Sequence, residues 1–469
     1  MSDLTDLTMA EAGAAVARGE ASPLELTEAY LARIEQHNGE LTAYVEVVGD
    51  RARDDARQLT DAATAGDMRG PLHGVPIALK DLVDTAGIPT SAGTAAYGGR
   101  VPDTDATCAR RLREAGTVLL GKTATHELAY GVTTANPKAF GITRNPWDRD
   151  RIPGGSSGGS AAAVVARLAP AAIGTDTGGS IRIPSALCGC VGFKPSYGVV
   201  SRAGISPLSW LLDHAGPIAS TVLDAALFLD AISGYDPADE VTVPGAGGVT
   251  DVATRLEAGV AGLRIGVPRT TAWTALEPGV ATVAEDALHD LEALGMHVVD
   301  VELPSLDDLA GPVFAIMSAE CRVAHRSIWP ERRDEFGPDL QNLLSMPALD
   351  GDTTVSTLRG VAAYRQEVRR VLTEVDLLAS PTVPAVAPPV GADTVSLGGV
   401  DVSVVMALIA NTMPYNLAHL PAVSLPCGLA DGLPVGLQLA GAPFDDVRVL
   451  QAGYAFEQAT DWDRRRPSD

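Results

Sequence analysis

Three residues far apart in the chain could together do nucleophilic chemistry on an amide: Lys80, Ser156 and Ser180. Ser156 lies in the turn GGSSGGS at 154–160, and Ser180 closes the turn Gly178-Gly179-Ser180. Amide hydrolysis needs a nucleophile, a base for its proton, a site for the oxyanion and an acid for the departing nitrogen. Histidine is the usual base. Yet His37, His73, His126, His214, His289, His297, His325 and His419 lie in no triad-like motif, and none falls inside these turns. The turn G-S-S-G-G contains the nucleophile-elbow pattern only loosely, with no histidine partner downstream. A reactive serine here therefore calls for another base. Lys80 ends the apolar run Val75–Leu79, where low-dielectric surroundings would favour a neutral amine. A lysine snorkelling from a strand end fits the same residues. Gly178 and Gly179 offer unobstructed backbone N–H groups that can bind developing negative charge. They also fit a tight turn or a phosphate loop, although this turn lies in no G-x-x-x-x-G-K-[ST] pattern. Taken singly, each feature is a weak signal.

The elements between the two serine turns must hold them still, since a misplacement of about 1 Å can cost roughly a hundredfold in rate. Ala161–Val165 and Ala171–Ile173 are small and apolar, which predicts a tightly packed helix leading into a buried strand. Upstream, residues 5–66 read as helical, with Ser22 as N-cap, Pro23 at the first position and Asp50–Ala65 as a charged amphipathic helix. Val75–Leu79 predicts a buried strand, Thr107–Glu114 a helix and Val118–Gly121 a strand. This alternation continues to about Ala231 and predicts a mostly parallel sheet covered on both faces. A turn-rich acidic surface loop is expected over 232–262. Strands follow at Leu263–Val267, His297–Val301, Leu377–Ala379, Ala422–Pro426 and Val435–Ala440. Helices are expected at Val280–Leu294, over 305–375 with breaks near Pro338 and Pro347, over 403–420, and at Val447–Thr460.

Composition narrows the function. A formal net charge of −24, from 35 basic and 59 acidic residues, repels a phosphate backbone and excludes nucleic acid as a partner. There is no apolar run of the roughly 18 residues a membrane span needs, and the N-terminus lacks the basic and apolar regions of a secretory signal. Cys108, Cys188, Cys190, Cys321 and Cys427 are odd in number and unpatterned, as expected in a reducing cytoplasm. Cys188-Gly189-Cys190 is not a C-x-x-C, and no metal site or cofactor is predicted.

Several motifs in one order resemble the amidase signature family of serine hydrolases over nearly the whole chain. They are GVPIALKD at 74–81, TRNPWDRDRIPGGSSGGS at 143–160, GTDTGGSIRIP at 174–184 and GCVGFKPSYGVVSRAGI at 189–205. LDHAGP at 212–217 and LPAVSLPCG with GLPVGLQLAG across 420–441 complete the set. The resemblance implies an α/β fold with a large mixed, twisted central sheet covered by helices on both faces. The whole chain, 1–469, would form one domain, with an N-terminal helical layer at 1–66 and the signature core at about 71–231. It also implies a Ser–cis-Ser–Lys triad: Ser180 as nucleophile, Ser156 as bridging serine after a cis Gly155–Ser156 bond, and Lys80 as base. The spacings, 76 residues from Lys80 to Ser156 and 24 onward to Ser180, suit it. The N–H groups of Thr177, Gly178, Gly179 and Ser180 would hold the oxyanion. Ser157, Asp176 and Arg182 would support the network, and Tyr130 in HELAYGVTT would face the substrate or simply pack.

Within that family the sequence favours a free-standing amidohydrolase. The glutaminase subunit of the tRNA-dependent amidotransferase typically has Asp-Glu-Phe and Ser-Ser-Thr-Glu-Asn where this chain has HELAYGVTTANP. It also binds the glutamine α-amino group through an Asp whose matching position here is Ile409. The expected substrate is a small apolar or aryl amide, with water, and a homodimer is compatible. Carbamates, ureas and polyamide oligomers, or glutamine in an amidotransferase complex, are the alternatives. Ser206–Asp213, with Trp210, and Val313–Trp329 are the expected walls of an apolar pocket. A nucleotide-binding α/β protein fits less well, because the glycine-serine turns carry neither glycine-rich phosphate motif.

Overall fold

A computed structural model describes residues 3–242, 244–245, 249–460, 462 and 465–467. Positions 243 and 246–248 of the predicted acidic loop lie outside the described residues. One sheet of eleven strands organises the chain. Numbered along the sequence, its strands are β1 (Tyr44–Val47), β2 (Pro76–Lys80), β3 (Val118–Thr123), β4 (Ala171–Asp176), β5 (Val191–Lys194) and β6 (His214–Ala219). They continue with β7 (Arg264–Val267), β8 (His297–Asp300), β9 (Leu377–Pro381), β10 (Ala422–Ala430) and β11 (Leu433–Gly441). Their spatial order is β1-β3-β2-β4-β6-β5-β10-β11-β9-β7-β8.

Side chains alternate across this sheet and bury both faces. Along β2 and β4, Ile77, Leu79, Ala171 and Ile173 enter one core, while Ala78 and Ala172 enter another. The first core is closed by the helices Met9–Ala17, Val222–Ile232, Pro278–Ala293 and Asp446–Ala459, through residues such as Met9, Phe228, Leu288 and Phe456. The opposite face is covered over one half by Pro23–Leu41, Gly49–Thr64 and Gly158–Val165. Over the other half it is covered by Asp307–Ala324, Pro338–Leu344 and Gly351–Val371. Every residue of β2, β4, β6, β9 and β11 is buried, as strands covered on both faces must be. Among the described residues no helix is long and apolar enough to cross a membrane.

Three expectations change. The stretch 5–66 is not helical throughout. Thr42 takes a left-handed conformation that ends Pro23–Leu41, and β1 then pairs antiparallel with β3. The sheet is mixed, as the family resemblance implies, rather than mostly parallel as the strand–helix alternation predicts. β3·β2, β2·β4, β9·β7 and β7·β8 run parallel, and the other neighbouring pairs run antiparallel. The central antiparallel pairs come from connections that return the chain to a neighbouring strand, such as the hairpin of β10 and β11. Finally, 403–420 is two short helices, Val404–Ile409 and Met413–Leu417. Between them Thr412 turns its hydroxyl onto the Gly178 carbonyl at 2.6 Å.

Candidate active site

β2 and β4 are parallel neighbours in the register Ala78↔Ala172 and Leu79↔Ile173. Their carboxyl ends therefore lie side by side, with Lys80 closing one and Asp176 the other. The two serine turns converge on this edge. Ser156 and Ser157 precede the helix Gly158–Val165, and Ser180 lies between β4 and the helix Arg182–Cys188. Close packing holds the first turn down. A Cβ on Gly159 would fall 2.4 Å from the Ala124 nitrogen, and one on Gly158 2.4 Å from Thr134 Oγ1. Thr134 Oγ1 donates to the Gly154 carbonyl at 2.8 Å, and the His126 N–H donates to the Ser156 carbonyl at 2.9 Å. The Gly155–Ser156 peptide is cis.

Lys80 is fully buried, and three hydroxyls surround its Nζ: Ser156 Oγ at 2.7 Å, Ser157 Oγ at 2.8 Å and Thr175 Oγ1 at 2.7 Å. Among the described residues it forms no ion pair. Burial lowers its pKa well below the ordinary 10.5, and the more distant Asp176 and Asp213 oppose this only in part. The proton inventory of a neutral amine fits the three contacts. Ser157 Oγ gives its own proton to the Thr175 carbonyl, at 3.2 Å, so it accepts from Lys80. Two amine protons can then go to Ser157 and Thr175, and the lone pair can accept the proton of Ser156. Thr175 has no place among the sequence expectations. Its only signal was its position in GTDTGGS, one residue before Asp176.

The second turn is organised by Asp176 and Arg182, both fully buried. Asp176 accepts from the Gly179 N–H at 2.8 Å and the Ile181 N–H at 3.2 Å. Arg182 forks onto it, with Nε to Oδ2 and Nη2 to Oδ1 both at 2.9 Å. Burial alone would raise the Asp176 pKa, but the Arg182 charge and hydrogen bonds hold it far below the usual carboxylate range. Arg182 is satisfied further by Gln438 and Asn416, each at 2.6 Å, and by the Thr412 carbonyl at 3.0 Å. Asn416 also donates to Asp176 at 2.7 Å. Gln438 lies in GLPVGLQLAG and Asn416 in the expected helix over 403–420, but nothing in the sequence assigned them this clamp.

One part of the expected oxyanion set is corrected. The Gly179 N–H donates to Asp176 at 2.8 Å; Gly179 has φ +134°, and a Cβ there would fall 2.2 Å from Thr412 Oγ1. The Gly178 and Ser180 N–H groups have no partner among the described residues. The Ser180 hydroxyl likewise makes no hydrogen bond among them. Ser157 N–H donates to the Ser180 carbonyl at 3.2 Å, which ties the two turns together through the backbone.

Ser180, Thr177 and Gly178 border a cavity of about 290 Å³. Tyr130 lies on its wall, with its hydroxyl donating to the Phe314 carbonyl at 3.2 Å. The other walls are largely apolar: Val132, Leu208, Phe314, Met317, Leu343, Val405, Ile409 and Met413. Of the expected segments, 206–213 contributes Leu208 and not Trp210, which is 42% exposed and lines a neighbouring hollow. Residues 313–329 contribute Phe314 and Met317. His126 borders the cavity, and burial followed by the nearby Lys80 lowers its pKa to about 4, so it stays neutral. Among the described residues no group of three or more His, Cys, Asp or Glu side chains could hold a metal ion, and all five cysteines are buried and unpaired.

The family model described as Amidase matches residues 25–450. The chain belongs to the amidase signature family. A glutamyl-tRNA(Gln) amidotransferase subunit from Chloroflexus aurantiacus is 41% identical, across 100% of this chain and 99% of that protein. Among solved structures, a bacterial aryl acylamidase of the amidase signature family superposes with a TM-score of 0.89 at 28% identity, covering 98% of this chain and 99% of that one. The corresponding amidotransferase subunit from Thermotoga maritima superposes at 0.80 with 32% identity, covering 98% and 96%. The large mixed sheet is thus the amidase signature fold, and the chain is an amidase signature enzyme acting on C–N bonds.

Proposed function

We propose that this chain hydrolyses linear carboxylic amides through a relay of Lys80, Ser156 and Ser180 and an acyl-enzyme on Ser180. The observation that carries the reading is the buried Lys80 amine, held by three hydroxyls with no carboxylate partner among the described residues. Neutral Lys80 takes the proton of Ser156, which takes the proton of Ser180 as Ser180 Oγ attacks the carbonyl carbon. The Gly178 and Ser180 N–H groups, unengaged among the described residues, receive the oxyanion, and each such donor is typically worth about 3 kcal/mol. The proton returns through Ser156 to the nitrogen as the C–N bond breaks. Water, activated by the same relay, then cleaves the ester and regenerates Ser180. The Ser156–Ser180 hydrogen bond this requires would form as substrate settles, since catalytic hydrogen bonds often tighten only in the substrate complex.

The apolar cavity supports apolar or aryl amides as substrates. Carbamates, ureas and polyamide oligomers present the same carbonyl to the same serine. A second reading, the glutaminase component of a tRNA-dependent amidotransferase, is favoured by the identity to proteins of that name. It would require an acceptor for the glutamine ammonium; Ile409 on the cavity wall cannot be one, and Asp339 on the same wall is the carboxylate that would have to serve. The purified chain, assayed alone on anilides, aliphatic amides, carbamates and glutamine, separates the two. Turnover of apolar amides with poor glutamine activity supports the first reading. A strong preference for free glutamine sinks it.

A further inference from the structure

A second cavity, of about 400 Å³, meets the first at Ala129, Thr177 and Leu208. Ser180 borders only the first cavity, while Thr175, the hydroxyl that holds Lys80 Nζ at 2.7 Å, borders only the second. The reacting centre therefore stands between two chambers of different character. The first is mainly apolar, with Asp339 its one carboxylate. The second carries three carboxylates, Asp213, Asp239 and Glu240, against one guanidinium, Arg202, which is paired with Asp239 at 3.1 Å. Asp213 is tied to the reacting turn, accepting from Thr177 Oγ1 at 2.6 Å. His214 borders the same chamber and is only 4% exposed. Its Nδ1 faces the Leu212 carbonyl at 2.6 Å and so must carry the ring proton, which leaves Nε2 an acceptor with no partner among the described residues. That acceptor is buried from the chamber itself, so it is not a contact for a bound group.

We propose that the second chamber is the site of the amine half of the substrate, and that it suits N-alkyl amides whose amine leaves as a cation. The inference rests on the acyl-enzyme reading above. An amide's two halves extend in opposite directions from the carbonyl carbon, so with the acyl group beside Ser180 in the first cavity the amine can extend past Thr177, which borders both, into the second. When the C–N bond breaks, the acyl carbon stays bonded to Ser180 Oγ. The nitrogen keeps its electron pair and receives the proton that Ser180 gave up, leaving as a neutral amine. An alkylamine then binds one more proton from water and becomes an ammonium ion, which a chamber with excess carboxylate retains better than a neutral wall would.

The test uses the full chain with phenylacetamide, which releases ammonia, and N-butylphenylacetamide, which releases butylamine. Ala203 and Ala238 border only the second chamber, and Ala238 is exposed, so Ala203→Phe and Ala238→Phe narrow it without touching the relay. The expected result is a loss of about tenfold or more in kcat/KM for the N-butyl amide, with the primary amide within about twofold of wild type. Inhibition by butylammonium should weaken in the same variants, while inhibition by phenylacetate stays unchanged. Equal effects on both amides, no effect on either, or a wild-type enzyme that cleaves only the primary amide would each overturn the proposal. A wild-type enzyme that cleaves no amide at all would instead overturn the underlying functional reading.

Discussion

The Lys80 amine lies 2.7 Å from the Ser156 hydroxyl, across 76 residues of sequence, in a site from which solvent is excluded. Burial makes the ammonium form costly, and the three hydroxyls satisfy a neutral amine completely. A lysine in this setting is a base rather than a fixed charge.

Replacing the nucleophile or the base should remove the chemistry while leaving the fold. Ser180→Ala should lower kcat/KM by roughly 10⁴-fold or more, and Lys80→Met by a similar order, because relay residues act as a unit. Mass spectrometry of a quenched reaction should show an acyl adduct in wild type and none in Ser180→Ala. Wild-type turnover by Ser180→Ala would refute the assignment.

The pH profile follows from the sign of the Lys80 shift. Its pKa in the folded chain lies well below 10.5. Below that folded value the amine is protonated and cannot accept from Ser156, so kcat/KM should climb as pH rises through it and level off above. A profile that falls from neutral to alkaline pH would contradict the lysine base.

Asp176→Asn should destabilise the protein by about 3–5 kcal/mol, because it strands the Arg182 charge in a fully buried site. The folded pKa of Asp176 lies below its ordinary 3.8. Its contribution to stability is therefore complete above about pH 4 and is lost as pH falls through the lower folded value. Denaturant melts at pH 3 and pH 7 should differ more for wild type than for Asp176→Asn.

Phe314→Ala opens the apolar cavity beside Ser180. It should raise KM for an aryl acyl substrate and cut kcat/KM by about 10–100-fold, with a smaller effect on acetamide. The ratio of the two specificity constants is the measurement, and an unchanged ratio would remove Phe314 from the specificity pocket.

The helical and strand segments that carry the serine turns were legible in the sequence because the pattern is local. Ala161–Val165 falls within the helix Gly158–Val165, and Thr107–Glu114 matches at both ends. The strand direction of the sheet was not legible in the local pattern, and only the family resemblance implied a mixed sheet. Parallel or antiparallel pairing depends on which distant segment lies alongside, and β4 beside β6 is decided by long-range packing. For the same reason the sequence does not separate Leu208 from Trp210: both line the second cavity, and only Leu208 also reaches the one beside Ser180.

By itself, the sequence determined the chemical types available and their order along the chain. These were a lysine ending an apolar strand, two serines in glycine turns and an acid–base pair flanking the second turn. Tertiary structure decided what those groups do to one another. Only the parallel contact of β2 and β4 brings Lys80 to Ser156 and Thr175, and only the folded turn sets the Gly179 N–H on Asp176. Spacing along a chain carries no record of burial. The desolvation that makes Lys80 a base exists only once the sheet, its covering helices and both turns have closed around it.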